Sequence, residues 1–204
     1  MILRFAYVAV LFVMLSSCGD NVSAFANVAR DLLAENEKDP LYGKRLAGIN
    51  PETLENLGFS VIYADLPSIQ KASFMRPMER NANVETWVST QGTSLSMADG
   101  IIVATRGYGY DLASSKRPTL SELQQNAKTK ESYESAYRHW DLEGNLRTRV
   151  GLCKAARIAN QIQEQCSING LKVTNSYELG PQGITTSLQW ISPERGYLKT
   201  IRLK

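Results

Sequence analysis

Alternation of apolar and polar residues constrains this chain most. Val84 to Thr90 reads VETWVST and is followed by Gln91-Gly92. Thr93 to Met97 reads TSLSM and is followed by Ala98-Asp99-Gly100. Ile101 to Arg106 then reads IIVATR. Side chains of a strand point to opposite faces in turn, so a period of two broken by glycine-bearing turns at short, even spacing gives hairpins in series. A helix would need apolar residues every three or four positions instead.

The same texture returns further on. Tyr133 to Leu142 and Leu146 to Cys153 flank a turn at Glu143-Gly144-Asn145. Leu171 to Leu179 and Ile184 to Ile191 flank Gly180-Pro181-Gln182-Gly183, and Tyr197 to Leu203 makes a final strand. Phe59 to Leu66 (FSVIYADL) is an apolar strand closed by Pro67. Lys154 to Gln165 stays open. Ala155, Ile158, Ala159 and Ile162 fit a helix, while Ile158 and Ile162 also fit a strand face. Helix signals are few: Val22 to Leu33 at helical spacing, Asn50-Pro51-Glu52 as a capped start, and Pro118-Thr119-Leu120-Ser121-Glu122 within a polar excursion from Ser114 to Lys130. The expectation is a mainly β protein of roughly eight to ten strands, an antiparallel meander closed as a barrel or a sandwich, with two or three short peripheral helices.

The N-terminus carries a different signal. Met1 to Arg4 bears one positive charge, and Phe5 to Leu15 is uncharged and apolar. This suits the core of a secretory signal and is shorter than the roughly 20 residues a spanning helix requires. Leu15-Ser16-Ser17-Cys18 then matches a bacterial lipobox. The reading is a signal peptide over 1–17, lipidation of Cys18, a tether with a short helix over 18–49, and one β-rich domain over 50–204. Two or three acyl chains anchor firmly where one is marginal. Gly19 at the sorting position points to the outer membrane, with the domain at its periplasmic face.

Hydrophobic residues make up 43% of the chain and charged residues 21%, ordinary for a globular domain with a core. The net charge of +3 falls when Arg4 is removed, and no basic block exists, so nucleic-acid binding has no support. Setting Cys18 aside leaves Cys153 and Cys166, which in an oxidising compartment form a disulfide. A zinc site would need more ligands than His139, the only histidine, can add, and Cys-x-x-Cys redox spacing is absent.

Catalytic signatures are missing. No nucleophile elbow, phosphate loop or metal-spaced cluster occurs, and no cofactor or metal is implied. His139 beside Trp140 reads as a strand residue, and Trp87, Trp140 and Trp190 read as core. Asp99, Asp111 and Asp141 are the carboxylates a hydrolase would have to use. The most unusual tract is Arg106-Gly107-Tyr108-Gly109-Tyr110-Asp111. Its glycines permit sharp turns. Arg106 and Asp111 can pair or bind a polar ligand, and Tyr108 and Tyr110 can stack on sugar faces. The alternative is a strand-end loop held by its own hydrogen bonds.

Several fragments together resemble one family. They are Val84-Glu85-Thr86-Trp87, the tract from Asp99 to Gly107 with Asp111-Leu112, Tyr137-Arg138, and the Cys153 and Cys166 pair. Thr174-Asn175-Ser176-Tyr177, Gln189-Trp190-Ile191-Ser192-Pro193 and Gly196-Tyr197 complete the pattern. Over residues 50 to 204 they look like the YjbF/GfcB lipoproteins. The resemblance implies an outer-membrane lipoprotein, largely antiparallel β and without a catalytic set, that assists secretion or assembly of an exopolysaccharide or capsule. Polysaccharide or export proteins would be its partners, besides the membrane. The competing reading is a carrier for a lipid or other apolar ligand, which would need an apolar cavity inside the barrel.

Overall fold

The computed structural model describes residues 51–204 apart from Leu142. Cys18, the signal peptide and the helix expected over Val22 to Leu33 lie outside the described residues. The chain divides into two compact units at Gly58. In the first, α1 (Pro51–Asn56) carries Glu52 in its first turn, where the helix dipole favours an acid.

The second unit is one antiparallel sheet built from β1 (Ile62–Leu66), β2 (Lys71–Asn81), β3 (Val84–Ser89), β4 (Ser94–Ala98), β5 (Ile101–Arg106), β6 (Leu112–Lys116), β7 (Ser132–Trp140), β8 (Leu146–Ile158), β9 (Gln161–Ile168), β10 (Leu171–Gly180), β11 (Gly183–Ser192) and β12 (Gly196–Arg202). A 3-10 turn at Pro67–Ile69 joins β1 to β2. The spatial order is β5-β4-β3-β2-β1-β12-β11-β10-β9-β8-β7-β6. Each strand therefore pairs with its sequence neighbours, except that β5 and β6 do not pair with each other and β1 pairs also with β12, from Ile62 opposite Arg202 to Asp65 opposite Lys199. The result is a nearly closed barrel of twelve strands.

β5 and β6 are the two edges, and side chains bridge the seam between them. The Leu112 amide donates to Thr105 Oγ1 at 2.9 Å, Ser115 Oγ donates to the Ile102 carbonyl at 3.1 Å, and Arg106 donates to the Leu112 carbonyl at 3.3 Å. From inside, the Gln189 carboxamide accepts from the Ile102 amide at 3.0 Å and donates to the Gly100 carbonyl at 2.9 Å. It thereby does for edge strand β5 what a neighbouring peptide group does elsewhere in a sheet. An edge left open inside a protein would carry unsatisfied backbone groups.

Twelve strands exceed the expected number for two reasons. β2 contains Pro77, which argues against a strand, but the proline sits at a bulge where the register shifts between Pro77 and Glu79. β6 reads LASSK, with too little alternation to register, and only Leu112 is fully buried. The open segment after Cys153 is a hairpin: β8 runs on to Ile158 and β9 returns from Gln161, with Ala159 at φ 55° in the turn.

Because the meander alternates direction, the barrel has two distinct ends. One, the turn end, gathers the connections 90–93, 107–111, 141–145 and 193–195. The other, the helix end, gathers the β2–β3, β4–β5 and β10–β11 turns and α2 (Leu120–Thr129). α2 starts in a capping box. Thr119 Oγ1 accepts from the Glu122 amide at 3.3 Å, and Glu122 accepts from the Thr119 amide at 2.8 Å. Its Leu123 and Ala127, one turn apart, bury against Ile101, Ala155, Ile162, Tyr177 and Ile184. The rest of the interior is packed with Met75, Trp87, Leu95, Ile102, Tyr137, Trp190 and Leu198 among others.

Candidate functional site

The barrel interior holds a buried ion pair. Arg117, in the link between β6 and α2, donates to Glu164 of β9 at 2.6 Å, with side-chain exposures of 2% and 0%. Such a pair is favoured when its other polar atoms are served, and here all but the Arg117 Nε are. Glu164 also accepts from Asn175 Nδ2 at 2.7 Å and from the Tyr133 and Tyr177 hydroxyls at 2.9 Å. Arg117 also donates to Gln189 Oε1 at 2.7 Å and to the Tyr177 hydroxyl. Its guanidinium lies over the Tyr137 and Tyr177 rings, both at 5.7 Å. Burial alone would lower the Arg117 pKa. The Glu164 carboxylate beside it more than offsets that and holds it above its ordinary value. Burial, reinforced by the Glu164 charge, pushes the Tyr133 hydroxyl up. Bonded to one another in this way, the groups form a brace that pins the base of α2 into the barrel.

Beside it, Cys153 and Cys166 stand directly opposite each other on β8 and β9 and form a disulfide. Their sulfurs and a Glu164 oxygen lie within 4.8 Å of one another. Disulfide sulfur is not a thiolate, so the grouping does not make a zinc site.

The tract singled out by sequence forms the β5–β6 loop at the turn end. Asp111 does not pair with Arg106. It accepts from Thr105 Oγ1 at 2.8 Å, the Gly107 amide at 3.0 Å and the Tyr108 amide at 3.2 Å. Arg106 instead donates to the carbonyls of Thr105, at 2.6 Å, and Leu112. Tyr108 is 3% exposed and packs inward, and its burial raises the hydroxyl pKa to about 12. The Tyr110 ring lies 4.9 Å from the guanidinium of Arg195, which donates to the carbonyls of Tyr108 and Gly109 at 2.8 and 2.9 Å. The loop is thus held by its own hydrogen bonds and by Arg195.

Other residues at the turn end are similarly occupied. Asp141 accepts from the Asn145 amide at 2.7 Å and from Arg147 at 2.6 Å. Desolvation raises its pKa, but these bonds and the Arg147 charge together outweigh it and hold the group at about 2. His139 is buried with its ring edge-on to Trp190, and its Nε2 accepts from Arg149 at 3.0 Å. Trp87 and Trp190 are core, whereas Trp140 is 42% exposed at the end of β7. A cleft of about 300 Å³ lies here, lined by His139, Arg149, Asn169 and Glu194 among others.

The helix end is built differently. A groove of about 410 Å³ opens between α2 and the barrel rim. Arg80 and Arg202 flank Glu85 at 3.5 and 3.8 Å, and the Arg202 guanidinium lies 5.5 Å from the Trp87 ring centre. Asn83, Asp99, Ser121, Gln124 and Gln182 complete the polar lining, with Leu120 and Ile184 as the apolar wall.

The family model for the group 4 capsule polysaccharide lipoprotein GfcB/YjbF matches residues 35–203. The chain belongs to this family. A solved structure of the hypothetical lipoprotein YmcC from Escherichia coli (K12) resembles this YjbF/GfcB member with a TM-score of 0.64 at 13% identity. The match covers 76% of this chain and 89% of that one, and at that identity it shows a shared fold. No curated protein matches the chain.

The family fragments quoted from the sequence include residues of the brace itself: Asn175 and Tyr177 in one, Gln189 in another. Arg117 and Glu164 were not legible as a site. Arg117 stands in a polar stretch before a helix, and Glu164 alternates with glutamines in QIQEQC, so each looks solvent-facing until β9 is placed in the wall. The groove was equally hidden, because it draws its residues from α2 and from turns far apart in sequence.

Proposed function

We propose that this YjbF/GfcB member is a non-enzymatic lipoprotein that assists secretion or assembly of an exopolysaccharide or capsule. It would be lipidated on Cys18 and held at the periplasmic face of the outer membrane. The family match across 35–203 carries the reading. The lipobox and Gly19 support the anchor, and the spacing of polar groups around a packed barrel supports a binding or adaptor role. Polymer or export proteins are the partners this role requires.

The lipid-carrier reading loses ground on the interior. An acyl chain entering the barrel would meet the Arg117–Glu164 pair and displace packed tryptophan and tyrosine side chains. The direct test is a deletion strain complemented with the wild-type gene or with Cys18→Ser. Deletion is expected to lower extracellular polymer, and Cys18→Ser to restore it poorly while the protein is released from membranes. Unchanged polymer in the deletion strain would sink the proposal.

A further inference from the structure

The groove at the helix end differs from the turn-end loops in what it leaves unused. Among the described residues, the carboxamides of Asn83, Gln124 and Gln182 and the carboxylate of Asp99 make no side-chain hydrogen bond to the protein, yet all border one volume of about 410 Å³. Each comes from a different segment: the β2–β3 turn, α2, the β10–β11 turn and the β4–β5 turn. Asn83, Asp99 and Gln182 are exposed and Gln124 half-buried, so their polar atoms face the groove's solvent and are open to a ligand that replaces it. The volume falls in the range of small-ligand sites, and barrel mouths are a common place for them.

The charges choose among ligands. Arg80 and Arg202 are matched by Glu85, which they bracket, and by Asp99. The groove therefore carries no net charge to offer an anion. A carboxamide donates and accepts at once, and a carboxylate accepts from paired hydroxyls. A pyranose presents hydroxyls of both senses around its ring, with an apolar face that Leu120 and Ile184 can cover. An acyl chain would bury the amides unpaired, and a uronate would bring a negative charge without a free cation.

The frame is also fixed in advance. Gln189 holds the Gly100 carbonyl, so the turn bearing Asp99 is set from inside the barrel. Gly100 has φ +83°, and a Cβ there would lie 2.9 Å from Ile184 Cβ, so the close seat of this turn on β11 depends on glycine. The Arg117 brace sets the base of α2, which carries Gln124. A turn and a helix held in place in advance cost less to order on binding than mobile ones.

We infer that this groove binds an uncharged sugar unit of the exported polymer. The inference rests on the polysaccharide role proposed above and assigns it a place. The test is titration of the full chain in detergent with short oligosaccharides of glucose, galactose and mannose. Oligosaccharides of glucuronate and galacturonate run in parallel, followed by calorimetry and amide shifts. At least one neutral sugar is expected to bind, with little dependence on salt and with shifts at the helix end. Gln124→Ala, which loses a hydrogen bond, and Asp99→Asn, which turns a charge-assisted bond into a neutral one, should each weaken it by roughly two- to tenfold. Asp111→Ala, at the opposite end, should leave affinity unchanged. Thermal melts of the variants separate lost contacts from lost fold.

The groove assignment fails if no neutral sugar binds, if uronates bind more tightly, or if the Gln124→Ala, Asp99→Asn double variant binds like wild type. A silent titration with polymer lost in the deletion strain overturns the groove and leaves the export role. Neutral-sugar binding with polymer unchanged overturns the export role and leaves the groove.

Discussion

The two ends of this barrel spend their polar side chains in opposite ways. At the turn end, acceptor side chains close the loops that carry them. Ser89 takes the amides of Gln91 and Thr93, Asp111 those of Gly107 and Tyr108, Asp141 that of Asn145, and Ser192 that of Arg195. At the helix end the turns are closed by tight backbone geometry and by side chains from the strands, as at Asp99-Gly100, where both residues have positive φ, suit a two-residue hairpin and are held by Gln189 at the Gly100 carbonyl. The side chains of those turns are then free to face a groove. The difference teaches that a loop rich in glycine, tyrosine and charge can be a structural knot, while plain short turns can carry the available chemistry.

The largest way to break this contrast is to remove the brace beneath the helix end. Arg117→Ala leaves Glu164 charged and buried without its partner, and should cost about 3–5 kcal/mol. Urea unfolding checks the size. Amide exchange checks the place: α2 should lose protection first, while the 107–111 loop keeps its own. Equal loosening at both ends would show that the brace supports the whole barrel and not α2 in particular. Next in size is the disulfide. Cys153→Ala with Cys166→Ala reopens a loop spanning a sequence separation of 13 and should cost about 3 kcal/mol. It joins β8 to β9 in the wall common to both ends, so here exchange should rise at both.

Much of this was legible in sequence and some was not, for physical reasons. Strands with one buried face announce themselves by alternation, so β3, β5, β7 and β10 to β12 could be placed to within a few residues. β2 and β6 were hidden by a proline at a bulge and by serines at a seam. The disulfide followed from counting cysteines. The Arg106–Asp111 tract was legible as unusual, but its two charges proved to serve separate backbone groups, which spacing alone does not distinguish. Glu164 could not be found, because a buried acid reads like an exposed one until its partner, distant in sequence, is known.

A smaller change tests whether the knotted loop is only a knot. Asp111→Ala withdraws the acceptor of Thr105 Oγ1 and of two amides in a partly exposed loop, and should cost about 1–3 kcal/mol. The effect should stay local, with exchange rising over 106–112 and across the adjacent seam at Leu112. Loss of polymer export by this variant while its fold holds would move functional weight back to the turn end.

The smallest effect comes from pH, and it should also separate the ends. His139 is the chain's only histidine and stands at the turn end. Burial lowers its pKa, and the neighbouring Arg149 charge lowers it further, while Glu194 opposes them. A depressed folded value means the unfolded chain binds the proton more readily. Stability from this group is therefore complete above the ordinary histidine value of about 6.5 and is lost as pH falls through the depressed folded value. Protonation would also place a cation beside Arg149, whose Nε donates to the imidazole nitrogen that would gain the proton. On mild acidification, unfolding by urea should become easier and exchange should rise around His139, Arg149 and Trp190, with the groove residues Gln124 and Asn83 unmoved. His139→Phe should flatten the slope. A slope that survives in that variant would have to come from carboxylates titrating lower. The turn end would then hold no switch near neutral pH, and the asymmetry between the ends would rest on hydrogen bonding alone.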